Sequence, residues 1–169
     1  MRRVQLECIV FKRVNGSIEY LLMKRIQNKG GFWQPPCGGL EEGDKSNLDA
    51  AFRELKEEAN INKEDVIKVL ENVHEFTIDK HYLTKEPISP IHEFVFGFEV
   101  KKDFNISIEN NIYPEHEEVK WVQFDKAISL LKWQNNKDAF VKINDLLHGK
   151  SQKALGFSQG MNDSSFFVS

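Results

Sequence analysis

The sequence predicts a mixed α/β (α+β) fold, a central sheet with helices packed on its faces. Three observations carry this. Apolar residues alternate at Val4, Leu6, Cys8 and Val10 and again at Ile18, Tyr20 and Leu22, the period of half-buried strands. From Leu48 through Phe52 and Leu55 to Ala59 they recur at spacings of four, three and four, the period of an amphipathic helix. The segments run strands, helix, strands, helices, an order that suits a mixed sheet.

Taken in order, the first two strands are separated by "NGS" at residues 15–17, a strong short-turn signal, and form a hairpin ending near Lys24 and Arg25. "NKGGFWQPPCGG" follows, and its glycines and prolines predict loop. Ser46 is the expected N-cap of the first helix, with Asp49 three residues on as a weaker capping-box partner. Residues 66–80 read as extended, and "FVFGFEV" at 94–100 alternates with phenylalanine on one face. A short strand is predicted near Val119 to Val122, then helices over "DKAISLLKW" and "DAFVKINDLLH". The serine- and glycine-rich residues 149–169 are expected to lie outside a single domain spanning 1–148.

The chain has 169 residues, enough for one domain with a sizeable core, and its 13 phenylalanines supply the apolar area to fill it. A formal net charge of −3 argues against a broad nucleic-acid surface, so a nucleic-acid partner is not expected. It leaves room for a small phosphorylated ligand at a local site. With two cysteines, Cys8 and Cys37, neither a disulfide scaffold nor a zinc site is expected. The N-terminal apolar run "CIVF" is too short for a signal peptide or membrane span, so a cytoplasmic protein is expected, without a membrane partner.

The segment "RELKEE" crowds acidic groups onto the first helix. At about 100° per residue, Glu54, Glu57 and Glu58 share one face, on a different side from the Leu48–Ala59 stripe. Like charges at these spacings cost about a few tenths of a kcal/mol per pair, and near a helix C-terminus they also oppose the dipole. A solvated charged face is one reading. A bound hard divalent cation is the other, since carboxylate oxygens are the ligands that magnesium and manganese prefer. Gly38 and Gly39 sit a short way upstream, where glycine lets backbone N–H groups approach phosphate oxygens. A phosphate and a carboxylate-held cation fit together chemically.

These residues resemble the signature of the Nudix hydrolases: Gly, five residues, Glu, seven residues, then Arg-Glu-apolar-any-Glu-Glu-any-Gly-apolar. Gly38 is followed after five residues by Asp44, and eight residues later by "RELKEEANI" with Arg53, Glu54, Leu55, Glu57, Glu58 and Ile61. Three departures are visible. Asp44 replaces a glutamate, the spacer is one residue longer, and Asn60 stands where glycine is usual. The extra residue falls in the loop before the N-cap, where insertion costs little, and Asn is the best non-glycine occupant of a left-handed position. "GFWQPPCGGLEEG", "YPEHEEVKWV" and "NNKDAF" extend the similarity toward the branch that contains dATP and dihydroneopterin triphosphate pyrophosphohydrolases, over roughly residues 3–147.

The resemblance implies an α/β/α sandwich with a mixed central sheet and metal-assisted hydrolysis of a phosphoanhydride. It implies Mg2+ or Mn2+ held by Glu54, Glu57, Glu58 and, from the "PEH" loop, Glu115. Catalysis falls to Glu57, Glu54, Arg53 and Glu115, and Asp44 would brace the loop by pairing with Arg53. Glu115 can equally be read as a surface-loop carboxylate, and His116 reads as structural or exposed. For the ligand, Lys24 at the strand end, Trp33, Cys37, Gly38 and Gly39 are the candidates. The cations and aromatics have plainer alternatives: Lys24 and Arg25 as solvated strand-end charge, Phe32 and Trp33 as rings packed under the loop. No histidine is marked as a base for Cys37, so a thiol nucleophile is not expected. Trp133 and Asn136 are placed at the pocket wall by resemblance alone.

The expected partner is a small nucleotide or pterin triphosphate, cleaved to pyrophosphate and a monophosphate. Alternatives of the same fold are hydrolysis of dinucleoside polyphosphates, nucleotide sugars or capped RNA, or a non-catalytic nucleotide sensor.

Overall fold

The computed structural model describes residues 3–109 and 114–150. Strand β1 (Arg3–Val14) turns at Asn15 and Gly16 into β2 (Ser17–Arg25), pairing antiparallel from Phe11 opposite Tyr20 to Val14 opposite Ser17. Both turn residues have positive φ, 49° and 79°, the region that Asn and Gly tolerate best.

The segment expected to be loop is partly sheet. Trp33–Gln34 forms β3 against β2, and Cys37–Gly39 forms β4 against β1, with Pro35 and Pro36 between them. Proline content argued against strand, but neither proline needs to donate. Pro36 instead accepts from the Cys8 N–H at 2.8 Å.

Strand β5 (Val66–Lys80) and β6 (Pro87–Val100) form a long bulged hairpin, so β6 begins seven residues before the 94–100 segment. β6 lies parallel to β1, with Leu6 opposite Phe94 and Ile9 opposite Gly97. β7 (His116–Val122) pairs with β2 and starts earlier than residue 119. The mixed seven-stranded sheet runs β3-β2-β1-β6-β5, with β4 on β1 and β7 on β2.

Helix α1 (Asn47–Ala59) covers one face. Ser46 Oγ accepts from the Asp49 N–H at 3.1 Å, and Asn60 closes the helix at φ 53°. Leu6, Cys8, Val10, Leu21, Met23, Phe96 and Phe98 pack beneath it. The other face carries α2 (Phe124–Leu130) and α3 (Gln134–Leu147), packed over Ile9, Phe11, Tyr20, Leu22 and Val95. α3 starts before the expected Asp138, and its inward residues are Ala139, Phe140 and Ile143. The result is a helix–sheet–helix sandwich whose central strand β1 is buried on both faces. Truncating a wholly buried core side chain such as Phe140 is worth about 3–5 kcal/mol.

Residues 151–169, the greater part of the expected C-terminal appendage, lie outside the described residues. Among the described residues no helix is long and apolar enough to cross a membrane.

Candidate active site

The packed face of α1 differs from the predicted stripe. Its buried residues are Ala50, Ala51, Glu54, Leu55, Glu58 and Ala59, whereas Leu48 and Phe52 are half-buried at its margin. Ala50 and Ala51, which lie outside that stripe, are small enough to let the helix approach the sheet. Glu54 and Glu58 are therefore turned inward, and only Glu57 of the three carboxylates faces solvent, with its side chain 56% exposed.

Glu54 rests on Gly38. A Cβ at residue 38 would overlap its carboxyl group, so glycine is required there for the room it leaves. Neither Gly38 nor Gly39 has a positive φ among the described backbone angles. The Gly39 carbonyl accepts from Arg53 Nη2 at 2.7 Å, and the Cys37 N–H donates to Glu58 Oε2 at 3.0 Å. These three residues thus seat the acidic groups of α1.

Arg53 ties the loop to the helix. Its Nε and Nη2 donate to the two Asp44 oxygens at 3.0 and 2.9 Å. Nη1 reaches Glu54 at 2.7 Å and Glu57 at 3.3 Å. Such a forked guanidinium–carboxylate pair fixes orientation as well as charge. The Arg53 hydrogen bonds hold the Asp44 carboxyl below its usual range.

Burial pushes Glu54 up, opposed by Arg53. Glu58 rises to about 8, first through burial and then through the Glu54 charge, with the Cys37 N–H opposing. Glu115 stands within electrostatic reach of Glu58 but is itself paired, to Lys29 at 2.6 Å and more loosely to Arg25 at 3.9 Å. The Lys29 hydrogen bond holds the Glu115 carboxyl low.

The remaining candidates separate. Lys24 pairs with Glu117 at 2.9 Å, while Arg25, its neighbour, is the cation whose charge is felt by Glu58, Cys37 and His116. Trp33 packs against the α2/α3 core with Lys120 over its ring, so it belongs under the loop. Phe32 instead joins Tyr82 and Trp133 in a cluster of mutually edge-on rings, 5.4 to 6.1 Å between centroids. Lys132 and Lys85 lie over the Trp133 ring. Burial and then the charges of Glu58, Glu93 and Glu7 push the Cys37 thiol well up, which keeps it a thiol. His116 is buried beside Gln34, and burial lowers it to about 4.

Among the described residues, no three acidic, histidine or cysteine groups converge in a ready-made metal cage. The donor chemistry nonetheless fits a hard divalent cation. Glu54 and Glu58 are buried on one side of the helix, the Glu54 charge raising the cost of ionising Glu58 and the Glu57 charge that of ionising Glu54, and their oxygens are hard ligands. Glu57 and Glu115 flank them and are held by cationic side chains.

Two acidic residues escaped sequence reasoning. Glu7 on β1 and Glu93 on β6 are buried on the α2/α3 face, 0% and 4% exposed. The available signal was a glutamate interrupting the apolar run from Leu6 to Phe11.

Comparison with known proteins adds the following. A family model described as the NUDIX domain matches residues 1–142. The chain is 29% identical to the RNA pyrophosphohydrolase of Pelagibacter ubique, over 80% of this chain and 89% of that protein. It is 32% identical to the dihydroneopterin triphosphate diphosphatase of Haemophilus influenzae, over 72% and 77%. In fold it is similar to the solved C. elegans Ap4A hydrolase binary complex, with TM-score 0.70 at 23% identity over 86% and 98% of the two chains.

Proposed function

We propose, on the premise that this chain belongs to the NUDIX family, that its substrate is a small triphosphate, a nucleoside triphosphate or dihydroneopterin triphosphate. The chain is a Nudix-type pyrophosphohydrolase. The observation that carries the assignment of its site is the pair Glu54 and Glu58, buried side by side beside Gly38. Isolated carboxylates are not buried together without a compensating partner.

Magnesium or manganese is the cation we assign, held by Glu54, Glu57 and Glu58 with Glu115 completing the set. When bound, such an ion neutralises polyphosphate charge and lowers the pKa of a nearby water. The chain's own residues do the rest. Arg53 holds Glu54, Glu57 and the Asp44 loop in one arrangement. Glu57, the carboxylate open to solvent, takes the proton of the attacking water. Water forms a bond to one phosphorus as the bridging P–O bond breaks, and pyrophosphate leaves with that electron pair. Arg25 and Lys29 supply positive charge near Glu115 for the departing phosphates. Phe32, Tyr82 and Trp133 offer ring faces and edges to a heterocycle.

A second reading, hydrolysis at a triphosphorylated RNA 5′ end, is favoured by the relatives named RNA pyrophosphohydrolase, those of Pelagibacter, Orientia and Rickettsia among them. One assay separates the two. The protein is incubated with dNTPs, dihydroneopterin triphosphate, diadenosine tetraphosphate and 5′-triphosphorylated RNA, with and without Mg2+ or Mn2+. Metal-dependent pyrophosphate from a small triphosphate is expected. Release from RNA alone would establish the second reading, and no metal-dependent product from any substrate would overturn both.

A further inference from the structure

Glu7 stands in the middle of the central strand, where its neighbours Leu6, Cys8, Ile9, Val10 and Phe11 are all fully buried. β1 and β6 are parallel, with Gln5 opposite Glu93 and Glu7 opposite Val95, so Glu7 and Glu93 are diagonal neighbours on one face. Among the described residues neither Glu7 oxygen has a hydrogen-bond partner of ordinary geometry, although the Asn136 amide on the first turn of α3 stands near enough to favour the ionised form and the Glu93 carboxyl near enough to oppose it. Burial first, and then the charge of Glu93, pushes Glu7 well above the usual carboxylate range, while burial raises Glu93 to about 7. Two carboxyls in this position share one proton, because like charges so close and so dry do not both ionise.

The pair is adjacent to the site already described. Cys37 is the cross-strand partner of Glu7, and its N–H is the group that donates to Glu58. Asn136 lies three residues beyond Trp133, a member of the ring cluster. The pair is thus linked through Cys37 to the backbone that seats Glu58, and through Asn136 to the first turn of α3, whose N-cap is Trp133.

We infer that Glu7 and Glu93 form the floor of the substrate pocket and read a 2-amino-4-oxopyrimidine edge, the edge common to guanine and to pterins. This rests on the pyrophosphohydrolase reading above. An ionised carboxylate accepts two hydrogen bonds and its protonated neighbour donates one. Guanine and pterin rings present the complement in a row: an oxo acceptor, a ring N–H and an amino N–H. Adenine presents one acceptor and one donor. A protonated carboxyl satisfies those, but the ionised carboxylate is then left buried and unpaired, the situation that gives a site its strongest discrimination.

The test is equilibrium binding of the non-hydrolysable α,β-methylene analogues of GTP and ATP to the wild-type protein, Glu7→Gln and Glu93→Gln. Thermal melts establish that each variant is folded. The guanine analogue is expected to bind wild type at least about tenfold more tightly, the scale of a bidentate base contact, and either substitution should remove most of that ratio. Competition by neopterin and by guanosine, neither of which carries phosphate, shows which ring source is preferred. Equal binding of the two analogues by wild type would overturn the inference, as would an unchanged ratio in a folded variant. If Glu7→Gln does not fold, Glu93→Gln decides alone. Hydrolysis is assayed separately: base preference without any metal-dependent hydrolysis sinks the functional reading only, and hydrolysis without base preference sinks only this one.

Discussion

Gly38 lies so close beneath the Glu54 carboxyl that a Cβ at residue 38 would overlap it. A strand in what reads as a loop is thereby locked to a helix by the absence of one carbon atom. Gly38→Ala must displace Glu54, so its effect should fall on activity more than on folding. Turnover is expected to drop at least about a hundredfold, the scale of disturbing a ligand or its support, with overpacking costing roughly 1–3 kcal/mol. Kinetics paired with a denaturant melt check this; unaltered turnover would mean that Glu54 is not needed where it sits.

Glu57 separates chemistry from architecture. Its side chain is 56% exposed and its hydrogen bond from Arg53 is 3.3 Å long. Glu57→Gln should therefore melt near the wild-type temperature while turnover falls by at least about a hundredfold. Near-normal kinetics at saturating magnesium would refute its role.

The Asp44–Arg53 pair predicts an acid limb. Arg53 holds the folded Asp44 carboxyl below its unfolded value of about 3.9. Its contribution is then present above that value and lost as pH falls through the lowered folded one. Asp44→Asn should lose less melting temperature than wild type between pH 5 and the acid transition, and parallel curves would show that the pair adds nothing to stability.

Glu93 carries the opposite sign. Its folded pKa, raised to about 7 by burial, exceeds its unfolded value near 4.3. Its contribution is fully present below the unfolded value and lost as pH rises through about 7. Melts of Glu93→Gln and wild type should diverge in favour of the variant between pH 5 and pH 8. A gap that does not widen with pH would show that the carboxyl ionises freely.

Trp133 contacts both Phe32 and Tyr82. If this cluster receives the heterocycle, Trp133→Ala should raise KM by roughly fivefold to a hundredfold, the range of one stacked ring, with kcat little changed. A fall in kcat at constant KM would move the residue from binding to positioning.

Much of the frame is legible along the chain because its causes are local. The Asn15–Gly16 turn, the Ser46 cap and the left-handed Asn60 each depend on residues within four positions of one another. So does the shared face of Glu54, Glu57 and Glu58, although the burial of two of them depends on what α1 packs against. β4 was hidden because its ladder is with β1, thirty or more residues away, and two prolines precede it. Lys24 and Arg25 are indistinguishable as strand-end charge until Glu117 engages one and the site's acidic groups surround the other.

Period, caps and an acidic cluster on one helix turn were enough to establish the fold class and the helix that bears the chemistry, since helix and turn energetics act over a few residues. Which acids are buried, which cation faces them, and the meeting of Glu7 with Glu93 were decided by the parallel pairing of β1 and β6 and by the close seat of α1 on Gly38. Long-range strand pairing brings together side chains that no short-range preference connects, and burial then changes their charge.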